Sequence, residues 1–232
     1  MTTAELARDK PISDLLINRF LAQTYLVMSL GLLITGYAAS LTANNLYLIL
    51  RITLDPWIAF GLFMVQILIV VSLGAVAMRL SPIVSFFLFI LYSALTGLTL
   101  SSIFLIYTQE QISIVFLLTA GTFFLTSLFG LLTKRDLSKS GSVLMMLLIG
   151  WTVTWLLSWL FPLSSFNWLL SYIGIGIFVG LTAHDAQRLR TLGERVEEHP
   201  AGNGLVVIGA LTLYLNFINL FLLILRASNR RR

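Results

Sequence analysis

Cysteine is absent from the 232 residues, which excludes disulfides, thiol catalysis and thiolate metal sites. Charge is scarce too. Asp, Glu, Lys and Arg make up 11% of the chain against 58% hydrophobic residues, whereas a soluble domain carries about a quarter charged residues. So little polar surface does not cover a globule in water. Only two histidines occur, His184 and His199, and neither has a metal-ligand set around it. GxSxG, HExxH and a membrane aspartyl pair are all missing, so neither catalysis nor a resident cofactor is expected. The net charge of +5 does not point to nucleic acid, because the basic residues sit at the ends of apolar runs. There they act as topology signals and lipid-headgroup contacts.

What is present is a series of apolar runs, at 20–42, 57–78, 83–107, 112–132, 143–161, 168–183 and 205–225. A helix needs about 20 residues to cross the hydrocarbon core of a bilayer, and most of these runs approach or exceed that length. The sixth is short, so its helix is expected to continue past Asp185 into 187–192, ahead of a turn at 200–204. The expected architecture is an all-α polytopic membrane protein of seven spans. Its parts are a polar segment at 1–18, a membrane domain at 19–226 and a basic tail at 227–232. The N-terminal segment lacks the apolar core of a cleaved signal peptide, leaving the first span as the insertion signal.

Seven spans assign every charge to a side. The side of the N-terminus holds Arg8, Lys10, Arg19, Arg79, Lys134, Arg135, Lys139, Arg188, Arg190 and Arg195, ten of the 15 basic residues. The other side holds Arg51 in an interior loop, with Arg226 and Arg230 to Arg232 in the tail. The positive-inside rule makes the N-terminal side cytoplasmic, and Trp57, Trp159, Phe161 and Trp168 fall at the opposite ends of their spans. The expectation is therefore N-terminus in, C-terminus out, with the terminal arginines the one dissent.

Nine of the ten acidic residues lie in loops or tails; only Asp185 closes an apolar run, immediately after His184. An ionisable group at membrane depth is expensive. A carboxylate near a helix C-terminus also opposes the macrodipole and calls for a cation, which Arg79 or Arg188 could supply. The bland alternative is an interfacial residue marking where the helix leaves the lipid. In span seven, Gly209, Thr212, Asn216 and Asn219 fall at i, i+3, i+7 and i+10, one narrow stripe of a helix. Carboxamides deep in an apolar helix need partners, so the stripe faces protein or water: pore lining, or the glue between helices. Ser93, Gly97 and Ser101, and again Thr122, Thr126 and Gly130, have the small-xxx-small spacing of packing surfaces. Trp151, Trp155 and Trp159 share a face of span five, lipid-facing or core rather than a cofactor box.

Three stretches in order, TKRDLS at 133–138, HDAQRL at 184–189 and GALTLYLNFINLFLLILR at 209–226, go further. With them, and with Gln23-Thr24-Tyr25, Gly31-Leu32, Thr96–Leu98 and Ile103, the chain from Arg19 onward resembles the transmembrane Bax inhibitor motif (Bax inhibitor-1) family, especially its bacterial members. That resemblance implies a fold whose seventh helix is surrounded by the other six, and a pH-sensitive calcium leak with Ca²⁺ as permeant ion. It also implies a sensor of two hydrogen-bonded aspartates, in spans six and seven, and an arginine after span two that latches the first. Asp185 matches the first aspartate and Arg79 the arginine; the second position holds Asn216.

That departure has a physical consequence. Two close carboxylates repel and share a proton, and an Asp–Asn pair has no such coupling, so pH gating near neutrality is expected to be weaker, with His184 a possible second sensor. A single carboxylate also makes Asp185 a weak Ca²⁺ ligand, fit for transient contact only. A geometric tension accompanies it. Asp185 reads as shallow and Asn216 as a dozen residues into span seven, so they meet only if span six runs on past Asp185 or the helices tilt. The alternative expectation is a regulatory protein that binds a membrane protease or cell-death factor without ion flux; a transporter of another small solute is the third class. No nucleic-acid partner is expected, and the bilayer of the bacterial inner membrane is the expected setting.

Overall fold

A computed structural model describes residues 3–76, 81–160, 167–195 and 202–229, all but the connecting residues helical. The order is α1 (Thr3–Ala43), α2 (Leu46–Leu54), α3 (Pro56–Val76), α4 (Pro82–Leu100), a 3₁₀ turn (Ser101–Leu105), α5 (Gln109–Leu132), α6 (Ser138–Leu160), α7 (Asn167–Arg195) and α8 (Gly202–Ser228). Seven of these, all but α2, are long and apolar enough to cross a membrane. The protein is an all-α polytopic membrane protein. The last span is the most buried of the seven, with 61% of its most apolar window covered.

Short polar signals set the helix starts. Ser81 accepts from the Val84 amide with Pro82 at the first helical position, where proline's missing N–H costs nothing. Thr108 and Gln111 form a reciprocal capping box at the head of α5. Asp55 Oδ1 accepts from the amides of Trp57 and Ile58, closing the head of α3.

The chain divides into two compact units. The first comprises Met1–Tyr107 and Leu192–Tyr214. Within it α1 packs along α4, and α3 against α4. The approach of α1 to α4 depends on glycine: a Cβ at Gly97 would lie 2.5 Å from the Thr35 carbonyl oxygen, and one at Gly31 would strike the Phe89 ring. Ser93 and Ser101 are fully buried beside Gly97 in the sequence repeat, as a packing stripe demands. Tyr214, at the end of this unit's share of α8, is wholly buried, edge-on to Phe89 and Tyr92. Thr35 Oγ1 lies 2.9 Å from both the Gly31 and Ser93 carbonyls and 2.6 Å from the Tyr214 hydroxyl. One threonine proton serves the two carbonyls, so the tyrosine hydroxyl is the donor to Thr35.

The second unit comprises Thr108–Thr191 and Leu215–Arg232. Ile177, Phe178 and Leu181 of α7 pack with Leu220 and Leu223 of α8 in a core that Leu144, Leu148 and Trp151 of α6 flank. Phe217 lies edge-on to Phe116 and Phe123 of α5. Of the tryptophan face, Trp151 packs half-buried against this core and donates to the Leu170 carbonyl at 2.7 Å. The repeat in α5 is divided: a Cβ on Gly130 would run into the Ala183 backbone, whereas Thr122 is half-buried and bonds its own helix.

The polar 1–18 segment is helical from Thr3 and continuous with the first span. Three features differ from the sequence expectation. The loop carrying Arg51 contains a nine-residue helix, α2, too short and too interrupted by charge to register as a span. The third run ends in a 3₁₀ turn rather than in α-helix. Gly202–Gly204 begin α8 instead of completing a turn.

Candidate functional site at the α7–α8 contact

The sixth run does continue. α7 extends ten residues beyond Asp185 to Arg195, about 15 Å of helix. Asp185 is therefore well inside the helix, not at its end. Asn216 lies 14 residues into α8, counted from Gly202, so the two positions reach a common depth. Asn216 Nδ2 donates to Asp185 Oδ2 at 2.7 Å, and Asn216 is 6% exposed. The other carboxylate oxygen is 3.0 Å from His184 Nδ1. With the carboxylate ionised, as an acceptor only, that ring nitrogen carries the proton. The side chains of His184 and Asp185 are 15% and 13% exposed. Each carboxylate oxygen thus has one donor, one from α8 and one from the preceding residue of α7.

The expected cation is not Arg188. Among the described residues Asp185 forms no ion pair with any Lys or Arg, its only charged partner being His184 when protonated. The carboxamide of Asn216 supplies part of the stabilisation that the dipole argument assigned to a cation, since a hydrogen bond to a charged group contributes about 1.5–3 kcal/mol. Arg79 and His199 lie outside the described residues.

The span-seven stripe is not uniform. Gly209 is buried. Thr212 donates to the Ile208 carbonyl and Asn219 to the Leu215 carbonyl, both within α8. Only Asn216 reaches another helix through a hydrogen bond of its side chain. No group of three His, Cys, Asp or Glu side chains among the described residues could hold a metal ion.

Two residues that the sequence did not single out complete the site. Gln187 Oε1 accepts the Leu137 amide at 2.7 Å and its Nε2 donates to the Arg135 carbonyl at 2.8 Å. Arg190 donates to the Leu131 carbonyl at 2.7 Å. Together they hold the α5–α6 connector to α7 within two turns of Asp185, on a different face of the helix. His184 also sits against Gly141 at the head of α6, where a Cβ would meet its ring. Within the connector, Asp136 accepts the Ser138 amide at 2.9 Å, and that backbone bond holds its carboxyl below the usual aspartate range.

A seven-span helical protein with a buried Asp–Asn contact joining its last two spans is the class that fold and site define. Residues 17–232 match the family model described as "Inhibitor of apoptosis-promoting Bax1", and the chain belongs to the Bax inhibitor-1 family. It is 43% identical over 218 residues to the inner membrane protein YbhL of Escherichia coli K12, covering 93% of each chain. Uncharacterised proteins of Borreliella burgdorferi and Deinococcus radiodurans are 40% and 37% identical, covering 94% and 93% of this chain and 94% and 92% of their own.

Proposed function

We propose that this protein is a calcium leak of the bacterial inner membrane whose opening responds to pH through the Asp185–Asn216 contact. The observation that supports the proposal is the 2.7 Å bond between Asn216 and Asp185, which ties α7 to α8 through a titratable oxygen on one side and a non-titratable donor on the other. Protonation of Asp185 removes the negative charge that the Asn216 amide and His184 stabilise, and so weakens the tie. His184, 3.0 Å from the other carboxylate oxygen, is the second member of the proposed sensor. Ca²⁺ is the permeant ion rather than a resident ligand, because one carboxylate falls short of the six to eight oxygens that a bound Ca²⁺ takes. In this arrangement the N-terminus is cytoplasmic and the C-terminus external. Arg79 takes the place of the latch after span two.

The test is calcium entry into dye-loaded proteoliposomes from pH 5 to 8. The native protein is expected to conduct with a shallow pH response, Asp185→Ala to lose that response, and Asn216→Asp to steepen it. Signal identical to protein-free liposomes in all three overturns the leak.

One observation favours a second reading. Lys134, Arg135 and Lys139 are exposed around a connector held in place by Gln187, a preformed cationic surface suited to an acidic partner such as a membrane protease. A cross-linked partner and a partner-dependent phenotype, without flux, select that reading.

A further inference from the structure

α2 is the one helix that neither spans nor belongs to the site. Its nine residues measure about 13 Å, less than half the hydrocarbon thickness. It is closed at its head by Asn45, which accepts the Leu48 amide, and at its tail by the Asp55 amide, which donates to the Arg51 carbonyl. Ile49, 1% exposed, anchors it to the first unit. The rest of its apolar surface points away from the protein: Leu46, Tyr47, Leu48 and Leu54 are exposed, the last at 71%, and Trp57 follows at 83%. A short helix between two spans, with leucines outward and Tyr and Trp beside them, has the composition of the membrane–water interface.

The polar groups of this helix are spaced as a pair. Arg51 Nη1 donates to the Tyr47 hydroxyl at 2.6 Å, and its guanidinium lies 5.7 Å from the centre of the same ring. That contact orients the guanidinium and leaves its other N–H donors to the open groove lined by Tyr47, Leu50, Arg51, Leu54, Asp55 and Pro56. Asp55 shares the groove, yet Arg51 and Asp55 form no ion pair. Asp55 Oδ1 is occupied by the α3 amides, and its Oδ2 has no such partner in those bonds. An oriented guanidinium matches a phosphate, and a separate carboxylate beside it matches a primary ammonium.

We propose that the α2 groove binds the headgroup of a zwitterionic aminophospholipid, phosphatidylethanolamine. Its phosphate sits on Arg51, its ammonium on Asp55, and its acyl chains run along Leu50, Leu54 and Trp57. The charge complement selects this lipid. Phosphatidylglycerol brings the phosphate but no cation for Asp55, and the quaternary ammonium of phosphatidylcholine cannot donate a hydrogen bond.

The experiment is native mass spectrometry of the full-length protein in detergent, titrated separately with phosphatidylethanolamine, phosphatidylglycerol and phosphatidylcholine. The native protein should retain phosphatidylethanolamine about tenfold more strongly than the other two, the factor that one hydrogen bond between charged groups, here ammonium to Asp55, makes. Arg51→Gln should abolish that retention. Asp55→Asn, which keeps a good capping oxygen, should equalise the ethanolamine and glycerol lipids. Soluble glycerophosphoethanolamine at the same concentration should not compete, which separates a lipid site from a headgroup site. Equal retention of the three lipids by the native protein, unchanged retention by Arg51→Gln, or displacement by the soluble headgroup overturns the proposal. If Arg51→Gln does not fold, the lipid ratio of Asp55→Asn decides alone.

Discussion

At the scale of single residues, the interior polar groups differ in where their partners lie. Asp185 draws one donor from α8 and one from its own neighbour, so replacing Asn216 by leucine leaves a largely buried carboxylate oxygen without its cross-helix donor. The expected cost is about 1–3 kcal/mol, read as a lower thermal midpoint in detergent, while Asn219→Leu, whose amide turns back on its own helix, should cost less. Tyr214→Phe removes the donor to Thr35 from a fully buried site and should lower stability by about 1 kcal/mol. The sequence made the need for partners at Asp185 and Asn216 legible, because uncompensated polar groups are intolerable in lipid. Their pairing was implied by the resemblance alone and not by spacing, since the geometry depended on how far α7 runs past Asp185. Gln187, though within the HDAQRL stretch, and Arg190, read as a topology charge, gave no signal as site residues: their partners are backbone carbonyls and an amide, which no side-chain pattern marks.

At the scale of helices, glycine separates close contacts from open faces. A Cβ on Gly97 or Gly130 meets the backbone of the facing helix, whereas nothing lies within 4 Å of one on Gly121. Gly97→Ala and Gly130→Ala should therefore destabilise by about 1–3 kcal/mol. Gly121→Ala should be neutral or stabilising by up to about 1 kcal/mol, because alanine is the better helix former. Denaturation of the three variants in one detergent checks the contrast. The α5–α6 connector gives a second test. Gln187→Leu removes two hydrogen bonds to it, and trypsin should then cut at Lys134 and Arg135 several-fold faster. A third concerns the head of α6. Asp136 is held below the ordinary aspartate range by the Ser138 amide. Its contribution is thus fully present above that range, near pH 4, and is lost as pH falls through the lowered value. Protection of the Ser138 amide relative to its intrinsic exchange rate should fall on the acid side, and Asp136→Ala should show the lower protection already at neutral pH.

At the scale of the whole chain, length and hydropathy were enough to place all seven spans, since a spanning helix needs about 20 apolar residues and satisfies its backbone within itself. α2 escaped notice because its amphipathic pattern is half a span long and carries a charge. The proposed orientation has a clean assay, because a chain without cysteine gives no background in thiol labelling. Asn44 and Ser140 are both exposed, at opposite ends of their spans. A single cysteine at Asn44 should react with an impermeant maleimide in intact spheroplasts. One at Ser140 should react only after permeabilisation. The reverse pattern would invert the topology.

Most hydroxyls in the spans, Thr24, Thr42, Thr119, Thr152 and Thr182 among them, donate to the carbonyl four residues back on their own helix. A group satisfied within its own turn says nothing about which helix lies beside it. The instructions for assembly are carried instead by the side chains that bond another element, such as Gln66, Trp151, Gln187, Arg190, Tyr214 and Asn216. A saturation library of this protein should accordingly accept valine at the first set almost everywhere, and concentrate its intolerance to polar exchange in the few letters of the second.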